Sequence, residues 1–230
     1  MRLPHLTQGN FVRRENRFRV TVDVEGQRVA AHLPNSGRLT ELLTPGRPCW
    51  LERVVDSSRR KTGFDLKLLA FASVLVSVDA RLPNPLVAEA LEEDRLVPFQ
   101  GCTAFRREVT LGDSRMDFQV QMPEGLLWVE AKSVTLVDRG LALFPDAPTR
   151  RGTRHVEALT RAARDGHRAA IVFVVQRPDA LRFSPHSAAD PAFSEALRSA
   201  AQWGVEVHAW TCQVDRNAIA IGEEIPVELA

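Results

Sequence analysis

Three side chains near the middle of this 230-residue chain have the types and spacing for metal-assisted phosphodiester chemistry. Asp117 lies in Arg115-Met-Asp-Phe-Gln-Val-Gln-Met122, and Glu130 and Lys132 lie in Leu126-Leu-Trp-Val-Glu-Ala-Lys-Ser133. Both segments read as strands, and alternation puts Asp117 with the polar side chains of the first and Glu130 with Lys132 on one face of the second. Two charges at i and i+2 in an apolar strand are costly to desolvate unless something compensates them. A Mg²⁺ or Mn²⁺ ion on the Asp117 and Glu130 oxygens, and an anionic substrate, would compensate both signs. Such an ion lowers the pKa of a bound water and offsets charge building on the phosphorane. Lys132, one of three lysines against 27 arginines, would orient that water or stabilise the developing charge. A plainer use also exists, because Glu-x-Lys on a strand is commonly a solvated edge or a surface ion pair.

Register supplies a test. Asp117 joins Glu130 and Lys132 if the turn around Pro123-Glu-Gly125 has two or four residues. A three-residue turn would set Asp117 against Ala131, unless a bulge restored the pairing. Downstream, Arg150, Arg151, Arg154, Arg161, Arg164 and Arg168 crowd a helix with His155 and His167. Arg151 and His155, near its start, are candidate phosphate contacts; a solvated helix with internal pairs such as Glu157–Arg161 is the alternative. Upstream, Arg13, Arg14, Arg17, Arg38 and the Arg59-Arg60-Lys61 loop are candidates for tracking a phosphate backbone. Phe11, Phe18 and Trp50 are candidates for stacking on bases or for a barrel core.

The elements that must position these residues fall into two sets. Arg17–Val24, Gln27–Leu33, Cys49–Val55 and Phe64–Val78 read as about five short strands with turns at Glu25-Gly26 and Pro45-Gly46, with Leu39–Leu43 as a candidate short helix. That fits a small OB-type barrel. Pro83-Asn-Pro85 reads as a linker, dividing the chain into 1–82 and 83–230. Beyond it, helix Leu86–Leu96 precedes strands Phe105–Leu111, Arg115–Met122 and Leu126–Val134. Helix Arg151–Gly166, strand Arg168–Gln176, helix Asp190–Trp203 and strand Val205–Gln213 follow, an α-β-β-β-α-β order with an appended α-β.

Charge is divided in the same way. Residues 1–80 carry 13 basic against 8 acidic side chains, and 81–230 carry 17 against 21. The first part suits a polyanion, although 27 arginines also fit a bias in coding. No apolar run reaches the length of a membrane span or a signal peptide, so a soluble cytoplasmic protein is expected. Cys49, Cys102 and Cys212 are too scattered for a disulfide framework or zinc cluster. Nucleophile elbows, dinucleotide fingerprints, P-loops and His-Glu-x-x-His pairs are all missing from the sequence.

Asn16-Arg-Phe18, His32-Leu-Pro-Asn-Ser-Gly-Arg38, Arg115-Met-Asp-Phe118, Val129-Glu-Ala-Lys-Ser-Val-Thr-Leu136, Phe144-Pro-Asp-Ala147, Arg151-Gly-Thr-Arg-His155 and Arg182-Phe-Ser-Pro185 together resemble the sugar fermentation stimulation protein A family, in order and over nearly the whole chain. Ser36 and Leu39 stand where threonine and methionine are more usual. The resemblance implies an N-terminal OB-fold, a C-terminal PD-(D/E)XK nuclease-like domain, binding to DNA or RNA, and metal-dependent nuclease activity. It puts the metal-binding aspartate on Asp117, the second acid on Glu130 and the lysine on Lys132, with Met116 in place of the usual proline. It also implies a glutamate from the first core helix, at Glu89, with Glu108 as a rival. The alternative it carries is a catalytically idle DNA-binding regulator of sugar, notably maltose, metabolism. A sugar- or nucleotide-binding effector is a third, weaker reading, and the sequence is silent on oligomeric state.

Overall fold

The computed structural model describes residues 1–54 and 61–229. The Arg59-Arg60 part of the expected basic loop, and so the site candidate Arg60, lies outside the described residues. Strands β1 (Leu6–Asn16), β2 (Arg19–Val24), β3 (Gln27–His32), β4 (Pro48–Arg53), β5 (Phe64–Phe71) and β6 (Val74–Ser77) form one sheet ordered β3-β2-β1-β4-β5-β6. Parallel pairing of Ala31 with Phe64 and His32 with Asp65 joins β3 to β5 and closes it into a barrel. Phe11, Val20, Val22, Leu51, Leu66 and Leu69 fill the interior. Gly9 lets β1 lie close against β2, because a Cβ there would lie 2.7 Å from both the Asp23 carbonyl and the Val22 side chain.

β1 is absent from the sequence reading. Register shifts between Phe11 and Arg13 and between Arg14 and Asn16 break its two-residue alternation, so its polar residues do not fall on a regular face. Leu39–Leu43 is a turn, not a helix, with Leu39 at φ 52 and the Leu42 and Leu43 N–H groups both donating to its carbonyl.

The second sheet is built on β7 (Ala104–Leu111), β8 (Ser114–Met122), β9 (Gly125–Val134), β12 (Arg168–Val175), β14 (Glu206–Val214) and β15 (Ile219–Glu224), in the order β15-β14-β12-β9-β8-β7. β9, β12 and β14 run parallel, whereas β7, β8 and β15 are antiparallel to their neighbours. A small sheet of β10 (Val137–Asp138), β11 (Leu141–Phe144) and β13 (Arg182–Pro185) lies beside it. Helix α1 (Pro83–Glu92) packs on one face through Leu86, Val87 and Leu91. Helices α2 (Arg150–Arg164) and α3 (Pro191–Gln202) cover the other through Val156, Leu159, Phe193 and Leu197.

Pro83-Asn-Pro85 is the first turn of α1 rather than a free linker. Prolines cost little there, because the first N–H groups of a helix have no partner within it. Barrel and sheet domain are pinned together. Gln176, at the end of β12, accepts the Ser77 hydroxyl at 2.9 Å and donates to the Asp79 carbonyl and to Ser133 Oγ. Lys67 donates to Asp79 at 2.8 Å, and Arg81 reaches both Asp79 and Asp65 at 2.7 and 3.0 Å. Among the described residues no helix is long and apolar enough to cross a membrane.

Candidate active site

The β8–β9 hairpin turns through two residues, Pro123 and Glu124, with Met122 opposite Gly125. This register carries Phe118 against Val129 and would set Asp117 against Glu130 next. Backbone pairing stops at Phe118, and the Asp117 carboxylate takes the place of the missing acceptor, receiving the Ala131 N–H on Oδ2 at 2.8 Å. On the other side, the pairs Arg107–Phe118 and Val109–Met116 place Glu108 across from Asp117, with Glu108 in the left-handed region at φ 57. The sheet thus opens around Asp117 and leaves a cleft of about 380 Å³ between the start of α1 and the start of α2.

Asn84, from the first turn of α1, donates to Asp117 Oδ1 at 2.6 Å. Burial first, and then the neighbouring Glu130 carboxylate, push Asp117 up to about 6. Glu130 is 2% exposed. Burial alone would raise it, but Lys132 and His155 outweigh that penalty and hold it below the ordinary glutamate range. Both bind the same oxygen, Oε1, by Lys132 Nζ and His155 Nδ1. Glu130 Oε2 is buried without a hydrogen-bond partner.

His155 is 6% exposed. It lies on the face of α2 that also buries Gly152, Val156 and Leu159, spaced three or four residues apart. That burial overturns its reading as a phosphate contact, since its Nδ1 is spent on Glu130 and its Nε2 accepts from Arg151 Nε at 3.4 Å. Arg151 itself is exposed and lines the cleft. Farther along α2 the arginines have other partners: Arg161 pairs with Asp113, Arg164 covers the Trp203 ring, and just beyond the helix Arg168 bridges Glu206 and Glu124.

Family models match both parts of the chain: one described as the SfsA N-terminal OB domain over residues 12–78, the other as the sugar fermentation stimulation protein RE domain over 81–218. The chain belongs to the sugar fermentation stimulation protein (SfsA) family. A sugar fermentation stimulation protein homolog of Desulforamulus reducens is 42% identical, over 99% of this chain and 94% of its own length. One from Alkaliphilus metalliredigens is 44% identical, over 96% and 95%. The structure of Pyrococcus furiosus SfsA in complex with Ca²⁺ superposes with a TM-score of 0.91 at 32% identity, covering 99% and 98% of the two chains. The SfsA architecture here is therefore an OB barrel followed by an α/β sheet domain that matches the family's RE domain.

Of the residues that the SfsA resemblance implied, Asp117, Glu130 and Lys132 come together and Glu89 does not join them. Glu89 points away at the far part of α1, where it pairs with the Met1 ammonium at 2.7 Å and approaches Arg95. Its rival Glu108 lines the cleft, paired with Arg115. Asn84 and Arg81 were missed; the signal was the Pro-Asn-Pro pattern itself, which suits a helix start as well as a linker. In the barrel, Phe11 and Trp50 are buried and only Phe18 is open to stacking, at 46% exposed. Arg13, Arg17, Arg38 and Lys61 are exposed. Arg14 is a structural staple, donating to the carbonyls of Asn16, Arg17, Asn35, Gly37 and Arg38.

Proposed function

We propose that this protein is a metal-dependent phosphodiesterase acting on nucleic acid, with Asp117 and Glu130 holding Mg²⁺ or Mn²⁺. The observation that carries the reading is Glu130 Oε2, a buried carboxylate oxygen without a partner, beside a second carboxylate that burial and Glu130 push up to about 6. Leaving an acceptor in that state costs roughly 1–3 kcal/mol, and a hard cation would satisfy it. Two carboxylates suit Mg²⁺, which keeps several waters and takes its remaining oxygens from a phosphate. That Pyrococcus furiosus SfsA forms a complex with Ca²⁺ supports a divalent site in the family.

When bound, the cation supplies an acidified water and a counter-charge for the phosphorane. The chain's own groups do the rest. His155 and Lys132 fix Glu130 through Oε1 and leave Oε2 free. Asn84 and the Ala131 N–H fix the Asp117 carboxylate. Arg81, Arg107 and Arg151 line the cleft with positive charge for substrate phosphates. Lys132, in the same cleft, supplies an ammonium for charge developing at the reacting phosphorus.

The test is cleavage of labelled single- and double-stranded DNA and RNA with Mg²⁺, Mn²⁺ or EDTA. Metal-dependent cutting that is lost in Asp117→Ala and Lys132→Ala is expected. Cutting that persists in Asp117→Ala overturns the assignment, and binding without cutting under either metal favours a DNA-binding regulator.

A further inference from the structure

A second cavity, of about 210 Å³, opens where the barrel meets the sheet domain. The barrel's Asn35-Ser-Gly37 loop forms one wall, and Phe144-Pro-Asp146 at the end of β11 forms the opposite wall. Its floor is the continuation of the catalytic strand, Ser133 to Thr135, and Ala80 borders both this cavity and the Asp117 cleft. Lys132 and Thr135 are three residues apart on that strand path, about 10 Å. Lys132 lines the cleft and Ser133, the next residue, lines this cavity, so the two spaces adjoin along the strand.

The walls are firmly set. Asp146 Oδ2 accepts the Leu39 N–H at 3.2 Å, and its carboxylate sits so close to Gly37 that a Cβ there would collide with it. Leu39, fully buried, is held at φ 52, a conformation a leucine keeps only when its surroundings over-determine it. Asn35 is pinned between the Val78 carbonyl and the Gly37 N–H. The cavity is preformed, and its lining joins hydrogen-bonding groups on Ser36, Thr135, Asp146 and Thr149 to a smaller apolar surface that includes Pro145 and Leu143, the Phe144 ring being packed against Phe173 and Phe193. Arg17 stands at the rim. Several hydrogen-bonding groups beside a smaller apolar surface suit the edge and face of a nucleobase.

We infer that the junction cavity takes one unpaired nucleobase of the strand whose backbone crosses the Asp117–Glu130–Lys132 cleft. The position of that backbone rests on the nuclease reading above. The substrate is then a single strand, or a duplex with a mismatch, bulge or frayed end beside the cut, because a paired base enters only after unstacking.

The experiment uses the full chain and oligonucleotides carrying one 2-aminopurine, either as single strands, fully paired, or as a lone unpaired base in a duplex. Affinity and 2-aminopurine fluorescence are read in EDTA, and cleavage after adding Mg²⁺. Binding about tenfold tighter to the unpaired base than to the paired one is expected, with a fluorescence change on binding. Ser36→Trp, at an exposed wall position, and Ala147→Trp, on the facing wall, should each abolish that preference; far-ultraviolet circular dichroism and the thermal midpoint check their folding. Equal affinity for paired and unpaired forms, or a preference untouched in two folded variants, overturns the inference. Cleavage of all forms alike leaves the nuclease reading standing and removes the cavity. A tryptophan-sensitive preference without any cleavage keeps the cavity and removes the nuclease.

Discussion

An exposed aspartate is fully ionised at neutral pH, whereas Asp117 is pushed up to about 6 by burial and by Glu130. The folded chain without metal therefore holds a proton more tightly there than the unfolded chain does. The sign follows from linkage: a raised carboxyl stabilises the fold at low pH, and that contribution is lost as pH rises from about 4 through 6. Asp117→Asn removes the penalty, so in EDTA at pH 8 its thermal midpoint is expected above wild type, by on the order of 1–2 kcal/mol of stability. At pH 4 the difference should vanish, and added Mg²⁺ should raise only the wild type. A variant no more stable at pH 8 than at pH 4, relative to wild type, would show that Asp117 stores no such strain. His155 acts through another residue. With His155→Ala, Glu130 loses one of the two groups on Oε1, and Mg²⁺ affinity measured by calorimetry should fall 10- to 100-fold, as when outer partners of metal ligands are removed. His155→Asn, which keeps a donor, should recover part of it. Unchanged affinity in the alanine variant would make His155 a packing residue only.

At the level of elements, the site depends on where strands stop pairing. The two-residue turn at Pro123-Glu124 was legible as one of the registers that unite Asp117 with Glu130, because period-two alternation is strict. The opening of the sheet at Asp117 was not, since it arises from a side chain, not a backbone group, answering the Ala131 N–H. The β-β-β-α-β order and the α2 and α3 helices were readable from apolar periodicity. β1 was hidden by its two register shifts, and β10, β11 and β13 by having only two to four residues each. His155 was legible as a candidate but not in its role, because an arginine-rich helix start looks like a phosphate site until the buried face is known. The loop from Asn35 to Leu39 is likewise explained only by its partner across the junction. Gly37→Ala is expected to force the Asp146 carboxylate aside, loosen its bond to Leu39 and cost about 1–3 kcal/mol. Urea unfolding measures that cost, and a wild-type midpoint would show that the two loops yield freely.

For the molecule as a whole, a buried charge network, with Asp65 and Lys67 on the barrel and Asp79 and Arg81 in the segment leading to α1, helps set how stability responds to acid and base. Asp79, almost fully buried at the junction, would be raised by burial, yet the hydrogen bonds and charges of Arg81 and Lys67 reverse that and hold it below the ordinary aspartate range. Its contribution is present above the unfolded value near 3.8 and is lost as pH falls through the lower folded value. His208, between Glu206 and Glu224 on β14, next to the edge strand β15, behaves oppositely. Burial would lower it, but the two carboxylates raise it above 6.5, so its contribution is present below 6.5 and fades as pH rises past the folded value. Asp117 adds a second loss on the alkaline side. The metal-free protein is therefore expected to be most stable near pH 5, to fall gradually towards pH 8 and to fall steeply below pH 3. Thermal midpoints across that range test it, and two variants divide the profile. Lys67→Met leaves Asp79 short of one buried partner and should lower stability by about 3 kcal/mol at neutral pH, an effect that shrinks as Asp79 is protonated. His208→Asn should flatten the decline between pH 6 and 8 while leaving the acid limb in place. If Lys67→Met changed the alkaline limb instead, the junction charges would not be what protects this fold from acid.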